Sequence, residues 1–351
     1  MWISNTATTI MLLPIATSLL ASVDEPRHPG EPNASHAFGS LGTGLLLGVA
    51  YSASIGGVAT LIGTPPNLVL AAFLKERYGL EVDMLQWLAV GLPFALLMLP
   101  LTWLYLTRVV CRDMPRRLHG SRALIGEQLR ALGPMSIGEK VVLVVFLVAV
   151  TGWILRAQVV SMTGMTGLSD AVIAMAAGLV LFVIPVTPST RTFAMDWNTA
   201  KGLPWEILLL FGGGLTLASA IGRHGVDAWL ASGLGALAGS PLLLVVLAVA
   251  TLVVFLTEIT SNTAVTATLL PVLAASAAAL GVPPAPLLVA TALAASCAFM
   301  LPVATPPNAI VFSSGHITIA QMARAGFALN IVSIAVVTAL VTLGAGGDIL
   351  H

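Results

Sequence analysis

Two polar triplets, Ser4-Asn5-Thr6 and Ser261-Asn262-Thr263, stand in otherwise apolar sequence. Each is followed later by a double-proline run, Thr64-Pro65-Pro66-Asn67 and Thr305-Pro306-Pro307-Asn308. Hydroxyl and amide oxygens, with the carbonyls of unwound backbone, are hard neutral ligands of the kind that hold Na⁺ inside membrane proteins. A half-helix that begins at membrane depth carries the equivalent of about half a positive charge at its N-terminus. It can hold an anion without a buried arginine. The four motifs contain no Lys or Arg, so an anion held there needs helix dipoles and co-bound cations for its charge balance. Covalent chemistry fits poorly. A serine nucleophile at Ser4 or Ser261 needs a base and an orienting partner, and no motif supplies His, Lys or Asp.

A single Ser-Asn-Thr reads as a cap or turn, and a single Thr-Pro-Pro-Asn as a kinked helix. Their duplication changes that reading. The lines SNTATTIMLLPI (residues 4–15) and SNTAVTATLLPV (residues 261–272) agree at eight of twelve positions, and Pro14 and Pro271 each stand nine residues after their asparagine. The order is triplet, double proline, triplet, double proline. Such an order is the mark of two structural repeats around a central site.

The elements that must position these motifs are membrane helices. Of 351 residues, 57% are hydrophobic and 9% charged, and the mean hydropathy is +0.98. A soluble domain carries roughly 25% charged residues. The expected fold is an all-α polytopic membrane protein with inverted repeats, re-entrant hairpins and broken transmembrane helices. No basic patch points to nucleic acid. Cys111 and Cys297 imply no disulfide framework, and the six histidines show no metal-ligand spacing.

In chain order, residues 7–20 are apolar but short of the ~17–25 needed to span, and read as one arm of a hairpin tipped by Ser4-Asn5-Thr6. Residues 22–40 read as a solvated loop. Residues 41–76 form one apolar segment with a glycine-rich polar middle, broken before Pro65-Pro66, because the residue before a proline avoids α geometry and proline suits a first helical position. Residues 84–107 make a full span. Spans follow near 141–157, 169–186 and 205–221, with an interfacial stretch at 225–238. Residues 241–260 lead to the second tip, 264–280 return from it, 285–320 form the second broken helix, and 327–345 the last span. This divides the chain into first-repeat elements (1–107), a basic loop (108–140) and a second repeat (141–351).

The loop at 108–140 holds Arg108, Arg112, Arg116, Arg117, Arg122, Arg130 and Lys140 against Asp113, Glu127 and Glu139. By the positive-inside rule it is cytoplasmic. That orientation brings the first hairpin in from the cytoplasm and the second from outside, so the repeats are inverted. Gly212, Gly213 and Gly214 read as a packing surface or a hinge. Glu258, beside the second tip, is either a functional intramembrane ionisable group or the partner of a backbone or basic group.

At these motifs the chain resembles the divalent anion:sodium symporter family, the sodium/dicarboxylate carriers. The resemblance runs from Met1 to about Ala345, and residues 296–311, SCAFMLPVATPPNAIV, resemble the family's signature line. It implies sodium-coupled symport of a di- or tricarboxylate across the cytoplasmic membrane. The implied mechanism is an elevator: a mobile transport domain works against a scaffold that forms a homodimer, in contact with membrane lipid. It further implies one Na⁺ site at Ser4, Asn5 and Gly63 and another at Thr257, Thr260, Ser261, Asn262 and Ala304. The anion would be held by Asn5, Thr6, Asn262 and Thr263, with Thr64, Pro65, Thr305 and Pro306 alongside. Sodium-independent exchange, and carriage of an oxyanion such as sulfate, remain open on the same scaffold. Family members carry further helices and a hairpin arm ahead of the first triplet. Thr257 lies four residues before Ser261, and its counterpart would precede Met1. The chain therefore reads as a fragment, not competent for transport alone.

Overall fold

A computed structural model describes residues 1–24, 34–112, 132–165, 167–187, 192–202 and 239–344, with scattered positions between 126 and 130 and between 205 and 225. Most of the expected span at 205–221 and of the interfacial stretch at 225–238, Gly214, and residues 113–125 of the basic loop lie outside the described residues. Among the described residues, six helical stretches are long and apolar enough to cross a membrane: Leu41–Val58, Met84–Val110, Ile137–Thr163, Leu242–Ile259, Asn262–Leu280 and Ile319–Thr342.

The chain divides into two compact units. The first holds Met1–Val82, Gln86–Leu118 and Leu210–His351, and the second Asp83–Leu85 and His119–Leu209. In the first, α1 (Asn5–Asp24) is followed by α2 (Ala34–Val58) and α3 (Pro65–Tyr78), and the break between the last two falls where the sequence placed it. Helix also occupies both ends of the stretch 22–40, which was expected as loop. Next comes α4 (Met84–Tyr105), which runs into a π-helical turn, Leu106–Val110.

In the second unit α5 (Ile137–Thr163) and α6 (Asp170–Val183) pack together. Helix α6, expected as a span over 169–186, has 14 residues, short of the ~17 needed to cross. It stops because Ile184 precedes Pro185 and takes extended geometry. Strands β1 (Pro185–Thr187) and β2 (Thr192–Phe193) then pair antiparallel, a small exception to the all-α expectation, before the short α7 (Trp197–Lys201).

The first unit resumes with α8 (Leu242–Ile259), α9 (Asn262–Leu280), α10 (Pro284–Ala295), α11 (Pro306–Ser313) and α12 (Ile319–Thr342). The last helix starts eight residues before the expected 327. Helix α10 is buried on all sides from Ala285 to Ala295, as an element apolar all round must be. It packs against α3, α8, α9 and α12.

The contacts carry a reciprocity. Helix α1 packs on α2 and α11, and α9 packs on α10 and α3. The remaining half-helix pairs are α2 with α11 and α3 with α10. Exchanging α1 with α9, α2 with α10 and α3 with α11 returns the same list.

Candidate functional site

Each double proline starts a half-helix the same way. Thr64 (φ −146°, ψ 143°) and Thr305 (φ −140°, ψ 149°) are extended residues ahead of α3 and α11, with proline in the first two positions. Proline needs no hydrogen bond there and disfavours helix in the residue before it. It also removes two donors, so these N-termini offer a dipole with fewer free amides than ordinary helix ends. Neither threonine side chain caps its helix. Thr64 Oγ1 lies 3.5 Å from Ser296 Oγ, which links the two breaks. Thr305 Oγ1 is buried with no partner among the described residues.

The fourth residue of each motif holds the break open. Asn67 Nδ2 donates to the carbonyls of Val58 (3.1 Å) and Thr60 (2.8 Å). Asn308 Nδ2 donates to those of Ala298 (3.2 Å) and Leu301 (3.1 Å). Both asparagines are 0% exposed. Irregular backbone survives at membrane depth only when buried in protein or facing a wet cavity. These amides supply two of the partners that lost helical bonds would have supplied. Sequence reading singled out the motif and gave its asparagine no role; the signal was the repeat of that residue at the same offset.

Glycine lets other backbone reach the breaks. A Cβ on Gly63 would run into the Gly57 carbonyl. Gly91, the eighth residue of α4, would place a Cβ 2.5 Å from the Val58 carbonyl. Gly326, the eighth residue of α12, would place one against the Phe299 carbonyl.

The two triplets share local bonds. Thr9 Oγ1 donates to the Asn5 carbonyl and Thr266 Oγ1 to that of Asn262, both at 2.8 Å. Thr6 Oγ1 lies 3.4 Å from Asn5 Oδ1, and Thr263 Oγ1 lies 3.2 Å from Asn262 Oδ1. They also differ. At the first, Ser4 Oγ caps α1 by accepting from the Ala7 amide, the Thr6 amide donates to Asn5 Oδ1, and the Asn5 amide donates to the Gly63 carbonyl at 3.1 Å. At the second, Ser261 makes no side-chain cap, and Asn262 Nδ2 is buried without a partner among the described residues.

Of the residues expected at the first Na⁺ site, Ser4, Asn5 and Gly63 are thus drawn together around the start of α1. For the second, Thr257 is buried with its hydroxyl donating to the Ala295 carbonyl at 3.3 Å. Thr260, exposed, donates back to Leu256, and Ser261 is exposed beside it. Ala304 is buried, and among the described residues no hydrogen bond joins it to Asn262. Of the expected anion contacts, Asn5, Thr64, Asn262, Thr263 and Thr305 are buried, Thr6 and Pro65 half-buried, and Pro306 exposed.

Glu258 is a backbone partner, as one of its two expected readings had it. Its Oε1 accepts from the amides of Phe299 (2.8 Å) and Met300 (2.9 Å) and from Asn330 Nδ2 (2.7 Å), and its Oε2 from the Leu301 amide (2.9 Å). Tyr51, from the first half of the chain, donates its hydroxyl to the Phe299 carbonyl at 2.8 Å. Sequence carries no trace of Tyr51, Ser296 or Asn330 as parts of this cluster.

The family profile described as "Sodium:sulfate symporter transmembrane region" matches residues 1–345. The chain is 40% identical over 344 residues to a sodium-dependent dicarboxylate transporter, SdcS, of Staphylococcus saprophyticus. That alignment takes in 97% of this chain and 66% of the relative. The same identity and coverage hold for SdcS of Staphylococcus aureus strain USA300. The chain thus spans 66% of the length of the curated relatives it matches.

Proposed function

The chain belongs to the divalent anion:sodium symporter family, and on that premise we propose that it forms the ion- and anion-binding part of a secondary transporter. The transporter moves a dicarboxylate with Na⁺ across the cytoplasmic membrane. Two relatives named as sodium-dependent dicarboxylate transporters support the coupling ion and the substrate class.

The observation that carries the reading is the joining of the first triplet and both breaks inside one unit, which also holds the second triplet. The first triplet is stitched to the first break through Asn5 and Gly63, and the first break to the second through Thr64 and Ser296. Neutral oxygens and buried unpaired donors of this kind suit a carboxylate flanked by cations. On this reading Ser4, Asn5 and Gly63 take one Na⁺, and Thr257, Thr260, Ser261, Asn262 and Ala304 another. The carboxylates rest on Asn5, Thr6, Asn262 and Thr263, beside Thr64, Pro65, Thr305 and Pro306. The reciprocal helix contacts fit a two-fold relation between inverted repeats. All four motifs lie in the first unit, the part that moves in an elevator mechanism. The family's homodimer belongs to the same proposal.

The test is binding of radiolabelled succinate to the purified chain in detergent, in NaCl and in choline chloride. Saturable binding that needs Na⁺ is the expected result. Binding that ignores the cation, or no binding in NaCl, would refute the reading. Displacement by sulfate in preference to unlabelled succinate would move the substrate to the oxyanion class.

A further inference from the structure

The two breaks are built alike except for one charge. In both, an asparagine ties down the carbonyls and a glycine on a following helix lets backbone approach. Among the described residues, only the second has a carboxylate bonded to its amides. Glu258 is 3% exposed, and its two oxygens take the successive amides of Phe299, Met300 and Leu301 together with the Asn330 side chain. Three consecutive N–H groups converging on one point form an anion-binding concavity. Here the anion is built in. Those amides are therefore closed to a carried anion, and the charge they would have stabilised belongs to the protein.

Two consequences follow from where this carboxylate sits. It stands next to Thr257 in the last turn of α8, at the helix end that carries the partial negative charge. It also grips the middle of the unwound stretch that ends at Ala304-Thr305. Charge-assisted bonds of this type are roughly twice as strong as neutral ones, so the stretch is held firmly.

We infer that Glu258 is the positioning residue of the second cation pocket: its carboxylate fixes the segment leading to Ala304 and places a negative charge one residue from Thr257. The neutral ligands at Thr257, Thr260, Ser261, Asn262 and Ala304 then need no carboxylate of their own. The inference rests on the reading of those residues as cation ligands.

The experiment is a sodium titration, in a choline chloride background, of the melting temperature of the purified chain. The variants are Glu258→Gln and Glu258→Asp, and succinate affinity is measured separately at saturating Na⁺. Glu258→Gln keeps the shape but offers one accepting oxygen and no charge to four donors. It is expected to raise the half-saturating sodium concentration at least fivefold, on the order of 1 kcal/mol, with succinate affinity at saturating sodium within twofold of the parent. Glu258→Asp keeps the charge on a shorter arm and is expected to shift sodium by less than half that ratio. A parent-like sodium curve for Glu258→Gln overturns the inference. So does equal loss of sodium and succinate affinity, or a larger sodium shift in Glu258→Asp than in Glu258→Gln. Should Glu258→Gln not fold, Glu258→Asp decides alone: a sodium shift under threefold supports the role, and loss of sodium-dependent stabilisation refutes it. If the parent itself shows no sodium-dependent stabilisation, the cation sites fall and not merely Glu258.

Discussion

The backbone amide of Asn5 donates to the carbonyl of Gly63 at 3.1 Å, so the start of α1 and the first unwound segment are one piece. That junction has no room. The Asn5 side chain lies 3.3 Å from where a Cβ on Gly57 would stand, and a Cβ on Gly63 would meet the Gly57 carbonyl. Moving either strand displaces the carbonyl proposed as a cation ligand.

Gly63→Ala is therefore expected to cost about 1–3 kcal/mol, the usual range for overpacking, and to abolish the stabilising effect of Na⁺. Thermal unfolding with and without NaCl tests both parts. A variant that melts like the parent and still responds to sodium would show that the segment relaxes freely.

The twin clamps predict local effects. Asn67→Ala removes one donor each from the carbonyls of Val58 and Thr60, which keep Trp87 Nε1 (2.9 Å) and the Gly63 amide (3.3 Å), and Asn308→Ala removes one each from Ala298 and from Leu301, which keeps the Ala304 amide (3.3 Å). Each variant loses two hydrogen bonds and is expected to destabilise by about 1–3 kcal/mol, at ~0.5–1.5 kcal/mol for each bond. In hydrogen exchange, Asn67→Ala should deprotect peptides covering 56–64 and leave those covering 296–305 unchanged, with the reverse for Asn308→Ala. Equal deprotection of both breaks by either variant would argue against separate clamps.

A third expectation concerns helix-to-break packing. Gly91→Ala and Gly326→Ala force a methyl group into the backbone at Val58 and at Phe299, and each should lower the melting temperature. Gly178, in α6, faces open space. Gly178→Ala should be neutral or stabilising by up to about 1 kcal/mol, the difference in helix propensity. The three melting temperatures, read side by side, separate close approach from a general effect of adding a methyl group.

The breaks were legible because their causes are local. Double proline begins a helix and holds the residue before it extended, and the echo of Thr-Pro-Pro-Asn placed both breaks. The termination of α6 was legible too, in Pro185, yet the apolar run through 186 outweighed it and gave a span where a 14-residue helix stands. The cluster at the second break was beyond reach. Glu258 meets amides more than forty residues away, and backbone donors have no residue type to recognise. Tyr51 to Phe299 crosses 248 residues. Such contacts follow from tertiary packing, and no periodicity encodes them.

The last expectation belongs to the second unit. Arg156 Nε lies 2.8 Å from Asp170 Oδ1, with side chains 15% and 27% exposed, and Trp153 Nε1 donates to the Asp170 carbonyl at 3.0 Å. Asp170 also opens α6, where a negative charge favours the helix dipole. Partial exposure screens the pair, so its coupling should exceed the ~1 kcal/mol of a solvated ion pair. It should fall short of the ~3–5 kcal/mol lost when one partner of a fully buried pair is removed. A double-mutant cycle of Arg156→Met and Asp170→Asn measures that coupling free of each residue's separate effects. Because the Trp153 bond runs to the backbone of Asp170, it survives Asp170→Asn. The single Asp170→Asn variant should keep the α5–α6 packing, seen as an unchanged tryptophan emission maximum. Additive single effects would show that the ion pair contributes nothing and that Trp153 and the packing of α5 on α6 tie the two helices together.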